Sequence, residues 1–287
     1  MSPGRARSLL RYTFPVLLLL TYVPSGLMPV ALSGRVWPGA TNAVSDEVVL
    51  PDGRWRLVAT PERAQDEELT DEQRREMERL RSIGYLTGSR PAPDRYGVTV
   101  YDSTRAYNGM NLYSSGHFAG AILMDMHGNT LHIWERSFLD AWPDRWQDST
   151  TENARYWRCV HLYENGDLLA IFEGMGLIKL DKDSRVIWKH LGGEHHDLKV
   201  APDGRIYVLT REAVMKPQVN REEPILEDFI TILDPDGHEL RRVSVLDALG
   251  DSPFLPLMEG MSARGDVFHT NAIELLDGRL AEDVPAF

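Results

Sequence analysis

One turn recurs along this chain, and its recurrence limits the fold more than any other feature. Ala121-Ile122-Leu123-Met124 runs into Asp125-Met126-His127-Gly128 and then into Leu131-His132-Ile133-Trp134. The unit returns as Leu177-Ile178-Lys179-Leu180, Asp181-Lys182-Asp183-Ser184 and Val186-Ile187-Trp188, and again over residues 229–243 around Asp234-Pro235-Asp236-Gly237. Each copy reads as a strand, an Asp-started turn and a second strand. The turns begin at 125, 181 and 234, so they stand 56 and 53 residues apart. A second hairpin alternates with the first, through Asn165-Gly166, Asp203-Gly204 and Asp277-Gly278. Two hairpins per repeat make four short antiparallel strands, which predicts an all-β fold and, within that class, a β-propeller rather than a sandwich. Trp134 and Trp188, at matching places after the turn, are expected to pack in cores.

The repeat occupies residues 96–287, fewer than four blades at roughly 50 residues each, whereas propellers close with about four to eight. The chain stops at Val284-Pro285-Ala286-Phe287, just after a hairpin turn. The expectation is therefore a partial propeller in the N-terminal part of a longer protein, with pairing to a second copy as the alternative.

Two segments precede it. In residues 1–35, Arg5, Arg7 and Arg11 stand before a charge-free stretch from Tyr12 to Gly34 centred on Val16-Leu17-Leu18-Leu19-Leu20. This reads as a signal peptide, with small residues Ala31 and Ser33 at a cleavage site, or as a membrane anchor weakened by Pro15, Pro24 and Pro29. Either way the body is expected in the periplasm or another extracytoplasmic space, with membrane attachment through the N-terminus in the second case. Residues 36–95 read as a linker with a polar helix. Thr70-Asp71-Glu72-Gln73 fits a capping box, Met77, Leu80 and Ile83 form one narrow apolar stripe, and Gly84 can end the helix. Its dense charges mark a solvated spacer or docking helix.

Composition removes other classes. The net charge is −12, with 43 acids against 31 bases and no basic patch, so a nucleic-acid groove is excluded. The single cysteine, Cys159, excludes a disulfide framework and any multi-cysteine metal centre. No nucleotide-binding loop or Ser-centred nucleophile motif is present.

The chemistry candidates are histidines. His195-His196-Asp197 lies nine residues before Gly204, counting from His195, and His269-Thr270-Asn271 lies nine before Gly278. Both read His-x-[Asp/Asn]-x6-Gly. Equivalent positions in successive blades bring His195 and His269 over one shared pocket. Strand alternation puts His195 and Asp197 on one face and His196 on the other, with the carboxylate free to orient an imidazole and Asn271 free to bond a ligand. His161 is expected to be a structural blade histidine, and His127, His132, His190 and His238 to lie at turns or strand ends. His195, His196 and His269 are all good metal ligands, but no ligand pattern of known metal spacing is present, and the site is read as metal-free with a metal site as the minor alternative.

The His-His-Asp strand before Pro-Asp-Gly, the His-Thr-Asn strand before Leu-Asp-Gly-Arg-Leu-Ala-Glu, and the Asp-turn hairpin ending in Trp resemble the bacterial arylsulfotransferase family over residues 96–287. The resemblance implies a six-bladed propeller, incomplete in this chain. It implies an exported enzyme that moves a sulfuryl group from a phenolic sulfate donor to a phenol acceptor through a sulfohistidine, with no nucleotide donor and no cofactor. Only His195, His196 and His269 match the family's motif positions; His269 and His195 are expected in catalysis, and His196, with Asn271 and Asp197 read from the residues themselves, in substrate binding. The resemblance also implies a sulfate-binding arginine and a further histidine motif beyond Phe287, so the nucleophile is His269, His195 or a histidine of that motif. The competing expectation is a non-catalytic, membrane-anchored propeller that binds a protein or carbohydrate partner, and a quinone-cofactor dehydrogenase on the same fold is a third.

Overall fold

The computed structural model describes residues 16–17, 69–84, 97–250, 252–258, 260–279 and 284. The charge-free N-terminal stretch lies outside the described residues apart from a two-residue strand, β1 (Val16–Leu17). Among the described residues no helix is long and apolar enough to cross a membrane.

The body is mostly β-sheet, and the sheets follow one another along the chain. β2 (Asn111–Ser114), β3 (Gly120–Met124) and β4 (Thr130–Glu135) form a three-stranded antiparallel meander. β5 (Trp157–Leu162), β6 (Leu168–Phe172), β7 (Gly176–Leu180) and β8 (Val186–His190) form a four-stranded one. β9 (Glu194–Val200), β10 (Ile206–Val214), β11 (Ile225–Leu233) and β12 (Glu239–Ser244) form the next, with β13 (Gly265–Asp266) added parallel to β11. A final short strand, β14 (Glu274–Leu275), pairs with β1.

The Asp turns explain why these meanders form. Asp125, Asp181 and Asp234 each accept, through Oδ1, the N–H groups two and four residues on, at 2.8–2.9 Å. The fourth residue of each turn closes it by donating its N–H to the aspartate carbonyl and sits at positive φ: Gly128 at 85°, Ser184 at 61° and Gly237 at 85°. Each carboxylate thus replaces backbone partners that the reversing chain loses. Gly166 and Gly204 close the second hairpin type in the same conformation, at 87° and 84°.

Alternation along the strands then stacks the sheets face to face. In β6, Leu168, Ala170 and Phe172 pack toward the first sheet with Trp134, Trp157, Phe138 and Trp142. Leu169 and Ile171 point the other way and pack with Leu198, Ile206 and Val208 of the third sheet. In β10, Ile206 and Val208 share that second core, whereas Tyr207 and Leu209 face Val267, Phe268 and Ile273. β6 is buried along its whole length, and each of its Leu, Ile and Phe side chains contributes about 2 kcal/mol. Trp134 is buried as expected; Trp188 is partly buried and donates its Nε1–H to Pro235 O, joining the second sheet to the third.

The polar helix is α1 (Asp71–Arg81), with its capping box formed: Thr70 Oγ1 accepts from Gln73 N, and Gln73 Oε1 accepts from Thr70 N. It ends at Arg81, three residues before Gly84, with Ser82 as its cap. The stripe docks on the third sheet: Met77 and Leu80 pack against Ala213 of β10 and Leu226 of β11. Two short helices, α2 (Phe138–Ala141) and α3 (Val245–Gly250), cover sheet ends.

Candidate functional site

Three non-glycine residues among those described have positive φ: Ser184, His196 at 52° and His269 at 50°. Ser184 occupies the glycine place of an Asp turn. The two histidines have no turn to explain them. A non-glycine residue held at positive φ costs about 1–3 kcal/mol and persists only where its surroundings fix it, a pattern that concentrates at functional sites.

Buried and half-buried carboxylates do the fixing. Glu173, just after β6, accepts from His196 N through Oε2 at 3.3 Å. Asp228 of β11 accepts from Thr270 N at 2.9 Å and Thr270 Oγ1 at 2.7 Å. Asp266 of β13 accepts from His269 N at 3.0 Å and meets His269 Nδ1 at 2.6 Å. Gly174, at φ 66°, lets the chain leave Glu173 against Arg211: a Cβ there would stand 2.2 Å from Arg211 Nη2.

The three motif histidines come together. His195 Nδ1 lies 2.9 Å from His196 Nδ1, and the His196 and His269 rings are edge-on with centroids 5.6 Å apart. His196 is the ring that touches both of the others. The expected alternation fails here. Val208 and Thr210 of β10 pair with Leu198 and Glu194, so β9 carries two extra residues across the register shift. With His196 left-handed inside this bulge, His195 and His196 turn toward each other instead of to opposite faces.

Two other motif residues make backbone contacts. Asp197 orients no imidazole: it accepts from Leu198 N at 2.9 Å and Ile273 N at 3.1 Å, ties β9 to the segment before β14, and lies 3.8 Å from the Cys159 thiol that donates to it. Asn271 donates its Nδ2–H to His269 O at 2.7 Å, so its amide stabilises the His269 backbone. At the site, the carboxylates that face imidazoles are Asp266 beside His269, Asp228, whose Oδ1 is 3.5 Å from His195 Nε2, and Glu173, whose Oε1 is 3.6 Å from His196 Nδ1.

The sequence reading missed Glu173, Asp228, Asp266, Arg158 and Arg211. Arg158 Nε lies 3.6 Å from Glu173 Oε2, and Arg211 Nη1 lies 3.8 Å from Oε1. A signal existed: Glu173 closes the apolar run Leu168-Leu169-Ala170-Ile171-Phe172, and Arg211 and Asp228 interrupt apolar strands, where a charge needs a partner.

Burial sets the protonation. His195 is held far below the usual imidazole range by burial and then by the Arg211 charge, and His196 is pushed down to about 3 by burial and then by Arg158. Both are neutral near pH 7. Burial raises Glu173, with Arg211 opposing it, and raises Asp228 to about 7 against the hydrogen bonds from Thr270. His269 is the accessible ring, its side chain 45% exposed, while those of His195 and His196 are 2% and 3% exposed. Glu173, His195 and His196 offer one potential ligand atom each within 4.8 Å of one another.

The other histidines behave structurally. His161 stacks edge-on with Tyr163, His132 meets Lys182 O, and His190 bonds Glu194 at the end of β8. A cavity of about 550 Å³ lies between α1 and the body, lined by Arg81, Arg145, Arg211 and Arg242 among others, but by none of the three site histidines. No protein-family model matches the chain, and no curated protein matches it.

Proposed function

We propose that the stacked sheets are blades of a partial β-propeller, six-bladed when complete, and that the protein is an exported arylsulfotransferase working without a nucleotide donor. One observation carries the reading: an exposed histidine, His269, stands at the edge of a buried cluster of neutral histidines with two arginines beside it. Asp266 accepts from His269 Nδ1–H, the tautomer in which Nε2 carries the ring's basic lone pair and is the nucleophilic atom.

The reaction then runs in two displacements. Nε2 bonds the sulfur of a phenolic sulfate as the sulfur–aryl oxygen bond breaks, and the phenolate leaves with that electron pair. The acceptor phenol oxygen next bonds the sulfur, the nitrogen–sulfur bond breaks and its pair returns to Nε2; the acceptor's proton passes to the released phenolate or to water. By analogy with phosphoryl transfer, charge on the peripheral oxygens calls for nearby cations. Arg158, with a side chain 31% exposed, is placed to supply one. His195, His196, Asp197 and Asn271 support the His269 segment and its pocket.

A non-catalytic propeller is the second reading, favoured by apolar side chains on the first sheet, where Tyr113, Leu131 and Ile133 are 41–50% exposed. One experiment separates the two. The natural full-length protein is mixed with a chromogenic aryl sulfate and a second phenol, without nucleotide. Acceptor-dependent phenolate release that His269→Ala lowers by ~100-fold or more is expected. No release by the wild type from several donors sinks the enzyme reading in favour of partner binding.

A further inference from the structure

Among the buried groups, one carboxylate oxygen and two imidazoles are arranged for something the sulfuryl reading does not use. His195 Nε2 faces Asp228 Oδ1 at 3.5 Å, so a proton on Nε2 leaves the His195 lone pair at Nδ1. Nδ1 meets His196 Nδ1 at 2.9 Å, which in turn lies 3.6 Å from Glu173 Oε1. A tetrahedral ion with bonds of about 2.0–2.2 Å places its ligand atoms roughly 3.3–3.6 Å apart, which the 3.6 Å edge meets and which the 2.9 Å edge reaches by opening about 0.4 Å.

Glu173 Oε1 is buried and accepts no hydrogen bond. Buried polar atoms of this kind require a partner. The guanidinium nearest Oε1 does not supply it: Arg211 Nη1 stays 3.8 Å away, while its Nη2 donates to Ile83 O at 2.6 Å. Arg158 lies against the other carboxylate oxygen.

We propose that Glu173, His195 and His196 form a binding site for a divalent transition metal ion, with zinc the best match to two imidazoles and one carboxylate. Asp228 is then the outer carboxylate that fixes the His195 tautomer, as such partners do in histidine metal sites. Three protein ligands leave a fourth position for water or a substrate oxygen. Both guanidiniums oppose the ion, so affinity rests on direct bonds to Glu173 Oε1 and two neutral rings. The site stands whether or not His269 transfers sulfuryl groups.

The test uses the intact chain, stripped with chelator and titrated with Co2+ as a spectroscopic probe, alongside elemental analysis after Zn2+ loading. Visible d–d bands of four-coordinate cobalt and about one zinc per chain are expected. Glu173→Gln and His196→Gln should each weaken binding by ~100-fold or more, and Asp228→Asn by ~10–100-fold. Thermal melts confirm that each variant folds; the wild-type spectrum tests the site even where a variant does not. Absent bands and no retained zinc in the wild type overturn the proposal. So does binding unchanged in folded Glu173→Gln and His196→Gln, which places the ion on surface groups.

Discussion

Carboxylates do opposite work in two regions of this molecule. At the Asp turns, Asp125, Asp181 and Asp234 lie near the surface and bond backbone groups within four residues; hydrogen bonds from Asn129, Arg185 and His238 hold their pKa values below the usual carboxylate value. Around the histidines, Glu173, Asp228 and Asp197 are partly or wholly buried and reach N–H groups 23, 42 and 76 residues away. There burial pushes Glu173 and Asp228 upward. The first set shapes local turns and the second holds distant strands in one site.

The largest effect should come from the buried set. Asp228→Ala removes the partner of Thr270 N and Oγ1 in a site 1% exposed, and should cost about 2 kcal/mol or more in urea unfolding. Asp181→Ala should cost less; equal losses would break the comparison. A chemical probe sharpens it next. Burial, then the Asp197 charge, pushes the Cys159 thiol up to about 11 from 9.0. At pH 8 its thiolate fraction, and hence its alkylation rate, should be about 100-fold below that of an exposed thiol; iodoacetamide labelling followed by mass spectrometry reads this, and labelling at the free-thiol rate would place Cys159 outside the buried region.

The smallest effect concerns pH. A carboxylate whose folded pKa lies below its unfolded value contributes stability that is full above about pH 4 and is lost as pH falls through the lowered value. Replacing Asp125, Asp181 and Asp234 together by Asn should flatten the acid limb of the melting-temperature profile below pH 4. An unchanged limb would mean that these turns are held by backbone bonds alone.

The same contrast explains what could be read from the sequence. Asp-turn hairpins and the Thr70 capping box were legible because donor and acceptor lie within four residues. That His195 and His269 share one region was anticipated from their common frame, whereas His196 was expected on the opposite face. The faces were not, because alternation holds only without a bulge, and left-handed His196 breaks it. Asp197 illustrates the remaining gap: its partner Ile273 is 76 residues away and no local pattern names it. Arg211 and Glu173 were hidden for the same reason, since a charge in an apolar strand says that a partner exists without saying where.

The contact between Arg211 and the segment just after α1 has a mechanical side. Ile83 O accepts from Arg211 Nη2, Arg211 stands against Glu173, and Glu173 holds the His196 backbone. A pull applied along residues 69–84 therefore reaches the strained histidine after three contacts, which makes the helix a lever on the very ring that touches both its neighbours.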